Sequence, residues 1–331
     1  MTWQETPNIA RRQFLRRSAK AGLAVAAAGA ASYLLYDSRG PKADTGTKDL
    51  VTLADFSVPV QTHNTMSIIS GANRIKTVNK AIELLGGIAR FIKPNETVVI
   101  KPNVAFASPP MLGATTNPEL IAAVVKLCYA AGAKRVLVTD NPINDPASCF
   151  SISGIAEAAD ESGAKVVFPK KRFFRPTTLT GGRLIKNWPV FSEPLENADK
   201  LIGIAPVKHH SRSGASMAMK NWYGLLGGRR NVFHQDINTI IAELSMMVKP
   251  TLVILDATEV MMTNGPTGGS LSDLKRTNTL IASCDQVAAD AYACTLLGLK
   301  PRDLPYLAKA EKAGSGTIDY QSLKPKVVTV T

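Results

Sequence analysis

The chain has 331 residues, 45% hydrophobic and 20% charged, with a net charge of +13. That length buries a large core in one big unit or two smaller ones, and the composition is that of an ordinary soluble globular protein. The surplus of cations favours anionic partners, but aromatics at 6%, without a basic-aromatic repeat, a zinc-finger spacing or a helix-turn-helix pattern, exclude nucleic acid as the natural one.

Part of the charge belongs to the N-terminus: residues 1–40 carry +4, which leaves +9 for the remainder. There Arg11-Arg12-Gln13-Phe14-Leu15-Arg16 matches the twin-arginine export pattern, and an Ala- and Gly-rich apolar run, Ala21 to Tyr36, follows. The run is sixteen residues, short of the ~20 that span a bilayer comfortably. It predicts export to the periplasm or cell envelope, the twin-arginine machinery as a partner, and membrane contact only through this segment where it is not cleaved. The resemblance to that route implies a protein exported folded, often with a cofactor loaded beforehand, without naming the cofactor. Residues 1–40 are thus read as signal or anchor and the start of a linker, 41–60 as linker, and 61–331 as an α/β domain with lobes at 61–200 and 201–331.

In the folded part, Met66 to Ile69 reads as a strand. An amphipathic helix follows, with Ile75, Val78, Ile82, Leu85, Ala89 and Ile92 at helical spacing until Pro94-Asn95 stops it. Thr97 to Ile100 is a short apolar run of the kind buried on both faces of a sheet, with Lys101-Pro102-Asn103 at its end. Asn117 with Pro118 is a strong helix start, and that helix carries Leu120, Ile121, Val124, Val125 and Cys128 inward to a stop at Gly132.

Arg135 to Thr139 is the next strand, tipped by Asp140 and Asn141. A helix from Ser151 to Ser162 and a strand from Lys165 to Phe168 follow. Thr180 to Arg183 reads as a hairpin turn. Leu201 to Ala205, Leu252 to Asp256, Thr279 to Ala282 and Val327 to Val330 are further strands, the last an edge. Helices are expected over Ile237–Val248 and Gln286–Leu297. This alternation predicts an α/β fold, a mostly parallel sheet with helices on both faces. The four cysteines, Cys128, Cys149, Cys284 and Cys294, form no CxxC pair, so no iron–sulfur or zinc-ribbon motif is present; Cys128 and Cys294 fit buried core thiols.

The chemistry gathers between Leu201 and Asp236. Of four histidines in the chain, His209, His210 and His234 lie there, among Lys208, Arg212, Lys220, Arg229 and Arg230, with Asp236 the only carboxylate. Ligands bind beyond the C-terminal ends of strands in open parallel sheets. Polar residues recur at such ends: Lys101 and Asn103, Asp140 and Asn141, Lys208 to His210, and Asp256 to Glu259. Lys101, Lys208 and Lys220 suit a small carboxylate or phosphate, and Asn103 and Asn221 can orient it through their amides.

His210 and His234 are the expected acid–base groups, since imidazole titrates near neutral pH. Asn264 and Gly265 open a loop, Asn264 to Gly269, that can offer backbone N–H groups to an anion. It lacks the ending of a P-loop, so a nucleoside triphosphate is not expected. No metal ligand is assigned, because the histidine spacing matches no metal signature and adjacent cations oppose one.

These motifs resemble the family called domain of unknown function 362. The likeness lies in Ile100-Lys101-Pro102-Asn103, Lys208-His209-His210, Met219-Lys220-Asn221-Trp222-Tyr223-Gly224, Phe233-His234 and Lys249-Pro250 through Asp256 to Asn264-Gly265-Pro266. It implies an α/β domain, in some members joined to an iron–sulfur module whose cysteine clusters this chain lacks. The same Lys/His motifs are distantly similar to those of nickel-pincer lactate racemases, in which a lysine holds a nucleotide-derived cofactor and histidines move protons. Two readings stay open: an exported enzyme acting on a small anionic substrate, or a non-catalytic cofactor- or metabolite-binding protein of the envelope that serves a redox partner.

Overall fold

A computed structural model describes residues 8–36, 52–59 and 65–331. The chain divides into two compact units, residues 1–41 and 42–331. In the first, Asn8–Leu35 is one helix, exposed along its described side chains, and its segment Arg12–Leu35 is 24 residues long and apolar enough to cross a membrane. The expected apolar run from Ala21 falls in the C-terminal part of this helix, which reaches 24 residues by taking in the arginine-bearing turns before it. The expected linker from Asp37 to Asp49 lies outside the described residues. Within 52–59, Phe56 is 3% exposed, its N–H donates to Lys249 O at 3.0 Å, and its carbonyl accepts from Thr251 Oγ1 at 2.7 Å.

The second unit is built on a nine-stranded sheet. Its strands are β1 (Met66–Ser70), β2 (Thr97–Lys101), β3 (Arg135–Val138), β4 (Lys165–Val166), β7 (Lys200–His210), β8 (Gly214–Ser216), β9 (Leu252–Met261), β10 (Leu274–Ser283) and β11 (Lys326–Thr329). β5 (Phe174–Thr177) and β6 (Trp188–Phe191) form a separate antiparallel pair, close to the expected hairpin. The main order is β11-β1-β10-β9-β7-β2-β3-β4, with β8 folded back on β7.

β9, β7, β2, β3 and β4 run parallel, while β10 lies antiparallel to both β9 and β1. The sheet is therefore mostly parallel, and it joins residues from both sides of position 200, since β2 pairs directly with β7. Alternation along β7 feeds the two faces. Leu201, Ala205 and Val207 enter one apolar cluster with Trp222, Ile240 and Ile241; Ile202 and Ile204 enter the other with Val78, Leu120 and Val124.

Most local expectations hold. Asn117 caps the helix Pro118–Ala130 by accepting from Glu119 N at 2.9 Å, and the helices Ile237–Met247 and Gln286–Leu296 fall within a residue of their expected bounds. Two helices, expected over Ile75–Ile92 and Ser151–Ser162, are interrupted where their periodicity is continuous. The first runs only over Arg74–Leu84 and restarts as a tight turn at Ile88–Arg90, because Gly86 and Gly87 sit at positive φ. The second divides into Pro146–Ile152 and Ile155–Glu161 around Gly154, also left-handed at φ 70°.

Candidate functional site: a cationic, histidine-bearing cavity

β7 is the main departure from the sequence reading. The strand does not stop at Ala205 but runs to His210, then turns through Gly214 at φ 76° into β8, pairing Lys208 with Ser216 and His210 with Gly214. Lys208, His209 and His210 are thus strand residues, not a loop beyond it. The two-residue period places Lys208 and His210 on one face and His209 on the other. His209 consequently leaves the group: its Nδ1 accepts from Gly265 N–H at 3.2 Å.

On the Lys208 face lies a cavity of about 170 Å³ at the C-terminal ends of β2, β3 and β7, where an open parallel sheet places ligands. Asn103, Lys208, His210, Lys220, Asn221 and His234 all line it. Asp140, Tyr223 and Arg230, which the sequence reading did not single out as site residues, line it too. A larger groove of about 430 Å³ runs along β4 past Lys165, Lys170 and Arg172, but it holds none of the described histidines or strand-end residues discussed above.

Four expected ligand contacts are already engaged within the protein. Lys101 is 1% exposed, and its Nζ lies 2.7 Å from Asp140 Oδ1, 3.0 Å from Asn221 Oδ1 and 2.8 Å from Pro102 O, so it is a structural cation. Burial pushes its pKa down while Asp140 pulls it back up. Asn221 spends its Nδ2 on Lys101 O at 3.2 Å and Ile204 O at 3.3 Å. Asn264 donates to Asp273 Oδ1 at 2.6 Å and Gly265 donates to His209, so only Pro266 of that loop lines the cavity. Asp256 is not at a strand end at all. β9 continues past it, and it pairs with Arg74 at 2.7 Å.

Asp140 fixes the floor of the cavity. Besides Lys101 it accepts from Val104 N at 2.7 Å and Asn141 N at 2.9 Å. Gly224 passes so close that a Cβ there would lie 2.0 Å from Asp140 Oδ1 and 2.9 Å from Lys101 Nζ. Gly224→Ala is therefore expected to destabilise the fold by about 1–3 kcal/mol, since the ion pair must move to admit a methyl group. Urea unfolding checks this, and an unchanged midpoint would contradict the packing. The segment Lys220 to Gly224 is held from the other side by Asp290, which accepts from Ala218 N at 2.8 Å and Met219 N at 3.2 Å; burial raises its pKa to about 8.

The remaining cations have no anion. Among the described residues, Lys208, Lys220 and Arg230 form no ion pair, and Asp140 is committed to Lys101. Lys208 donates to Ala114 O at 2.5 Å and lies 5.3 Å from the Phe106 ring centroid. Arg230 donates only to carbonyls: Tyr223 at 3.3 Å, Leu226 at 3.2 Å, Asn141 at 2.8 Å and Pro142 at 3.0 Å. Lys220 has no hydrogen-bond acceptor among the described residues and sits 5.2 Å from the Tyr223 ring centroid. Burial, then Lys220, lowers the Lys208 pKa to about 7; burial, then Arg230, lowers Lys220 to about 8.

The two cavity histidines hold opposite tautomers. His210 Nδ1 accepts from Arg212 N and Ser213 N, each at 3.2 Å, so its proton resides on Nε2. Burial and then Lys220 push its pKa to about 2, which keeps the ring neutral. His234 Nδ1 lies 3.2 Å from Asn231 O, which can only accept, and 3.2 Å from the Tyr223 hydroxyl, whose own proton goes to Arg230 O. His234 therefore carries its proton on Nδ1 and leaves a lone pair on Nε2. Burial followed by Lys220 lowers its pKa as well. The rings stack with centroids 6.0 Å apart. One imidazole thus offers an N–H and its neighbour a base.

Fold and cavity together define an α/β protein with a buried, cation-rich, two-histidine hollow at its strand ends. The chain belongs to the family described as domain of unknown function 362 (DUF362), whose profile matches residues 98–295. It is 27% identical over 253 residues to a thylakoid-associated protein of Synechocystis sp., a match covering 72% of this chain and 75% of that one. Among solved structures it is similar to the lactate racemase apoprotein of Thermoanaerobacterium thermosaccharolyticum, at 14% identity and a TM-score of 0.38 over 77% of this chain and 60% of that one. It is also similar to a Thermotoga maritima protein, at 13% identity and a TM-score of 0.37 over 68% of this chain and 58% of that one. The chain spans about 60% of the length of these solved structures.

Proposed function

We propose that the cavity binds a small carboxylate-like anion and moves a proton on it, and that the protein acts outside the cytoplasm after export by the twin-arginine route. The observation that carries the site is the set Lys208, Lys220 and Arg230, buried or half-buried in one hollow without a carboxylate partner among the described residues. Unpaired cations held out of water are costly, and an anionic ligand offsets that cost. Asn103 adds an amide donor to orient the anion. His234 supplies the base at Nε2, and the neutral His210 Nε2–H donates a hydrogen bond to the charge that develops on oxygen. The reading of the N-terminus rests on the twin-arginine motif followed by the membrane-length helix.

Thermal unfolding in a series of small carboxylates tests the site. Ligand at a hundredfold over Kd is expected to stabilise by about 2.7 kcal/mol. Lys220→Met and His234→Ala should each abolish most of that gain. If both variants respond like the parent, the anion binds elsewhere.

The pH dependence has a definite sign. Lys208 and Lys220 have folded pKa values near 7 and 8, below the 10.5 of a free lysine. The unfolded chain therefore binds more protons above pH 7, and this contribution makes the empty fold more stable as pH rises toward 10. A bound anion needs the ammonium forms, so affinity should fall about tenfold per pH unit for each proton taken up once pH exceeds 8. A rising slope for the empty protein and a nearly flat one for the liganded protein are the expected result, because the protons taken up with the anion cancel the difference from the unfolded chain. Parallel slopes would show that these lysines do not meet the ligand.

A further inference from the structure

We propose that Lys220 is a covalent-bond-forming amine that condenses with the carbonyl of a small 2-oxo acid or aldehyde acid held in the cavity. The inference rests on the anion reading above and adds the substrate's second functional group.

Four observations separate Lys220 from the other cations. Lys101 is closed off by Asp140, Asn221 and Pro102. Lys208 donates to Ala114 O, and Arg230 is spread over four carbonyls. Of these cations, Lys220 alone lines the cavity with no acceptor among the described residues, its Nζ 5.2 Å from the centroid of the Tyr223 ring. Burial favours loss of the lysine proton, as does the permanently charged neighbour Arg230, and the Lys220 pKa accordingly falls to about 8. A lysine desolvated beside a second cation is the standard way to keep a nucleophilic amine near neutral pH.

The step balances without an oxidant or reductant. The Nζ lone pair attacks the carbonyl carbon, forming C–N, while the C=O π pair moves to oxygen, where the neutral His210 Nε2–H donates a hydrogen bond to it. His234 Nε2 takes the surplus proton from nitrogen and returns it to that oxygen, giving the neutral carbinolamine. A second proton, from solvent, lets the hydroxyl leave as water and the nitrogen lone pair form the iminium. Lys208 and Arg230 remain to hold the carboxylate, so the iminium and two cations face one anion.

The test uses the full-length protein with pyruvate as the probe, borohydride to reduce any imine, and peptide mass spectrometry to place the adduct. The expected result is a reduced pyruvate adduct on Lys220, absent in Lys220→Arg. At saturating pyruvate, trapping should rise about tenfold per pH unit below 8 and level off above it. Lactate, which has the carboxylate but no carbonyl, should stabilise the parent without giving an adduct. Stabilisation by both acids with no adduct overturns the carbonyl inference and leaves the anion reading standing. An adduct that forms equally well with acetone removes the anion reading and keeps the reactive amine. An adduct on exposed lysines only, or equal labelling of the Lys220→Arg variant, overturns the proposal outright.

Discussion

Asp140→Ala is expected to lower the unfolding free energy by about 3–5 kcal/mol. The carboxylate is buried against Lys101, itself 1% exposed, and it also accepts the N–H groups of Val104 and Asn141. Removing it strands an ammonium where water cannot reach and leaves two backbone donors without their acceptor. Lys101→Met combined with Asp140→Leu should cost far less than Asp140→Ala alone, because an apolar pair has no charge to desolvate. Urea unfolding of the three variants gives the comparison. A loss below about 1 kcal/mol for Asp140→Ala would mean that the pair is solvated, and the floor of the cavity would need another explanation.

The same pair shows where sequence reasoning reached and where it stopped. Lys101 and Asp140 were each legible as polar residues at the tip of an apolar strand, and that pattern located the cavity. Their mutual pairing was not legible, because it depends on β2 and β3 being neighbours in the sheet. Sign alone therefore made Lys101 look like a ligand contact when its charge is consumed inside the fold. Asn264 and Gly265 mislead in the same way: a Gly- and Asn-rich loop offers free N–H groups on paper, but Asp273 and His209 take them in space.

β7 illustrates a different limit. Its apolar run ends at Ala205, yet hydrogen bonding to β8 and β9 carries the strand to His210. Only that extension assigns Lys208 and His210 to one face and His209 to the other. Arg230 was visible in the sequence but indistinguishable from exposed Arg229 until four carbonyls converged on it. Periodicity served best where a single element decides its own form, as in the helix capped by Asn117. It served least where Gly86-Gly87 and Gly154 interrupt a helix without breaking the apolar spacing.

Trp222→Ala is expected to cost about 3–5 kcal/mol and to silence the cavity's response to anions. The indole is fully buried, and a Cβ on Gly203 would lie 2.6 Å from it, so the ring rests directly on the backbone of β7. Its Nε1 donates to Gln286 Oε1 at 2.7 Å, and Gln286 in turn donates to Ser245 O at 3.1 Å and Val248 O at 2.9 Å. One side chain thereby clamps the segment Lys220 to Gly224 to the central strand and to the helix Gln286–Leu296. Alanine leaves a cavity the size of the indole and an orphaned amide oxygen.

Gln286→Leu separates the two contributions. It keeps the indole edge on Gly203, removes the acceptor of Nε1 together with the donor to Ser245 O and Val248 O, and should cost about 1–3 kcal/mol. Because Lys220 stays anchored in that variant, its anion-induced thermal shift should survive while that of Trp222→Ala disappears. Equal loss of the anion response in both would mean that the hydrogen bond to Gln286, rather than ring packing on Gly203, holds Lys220 in place.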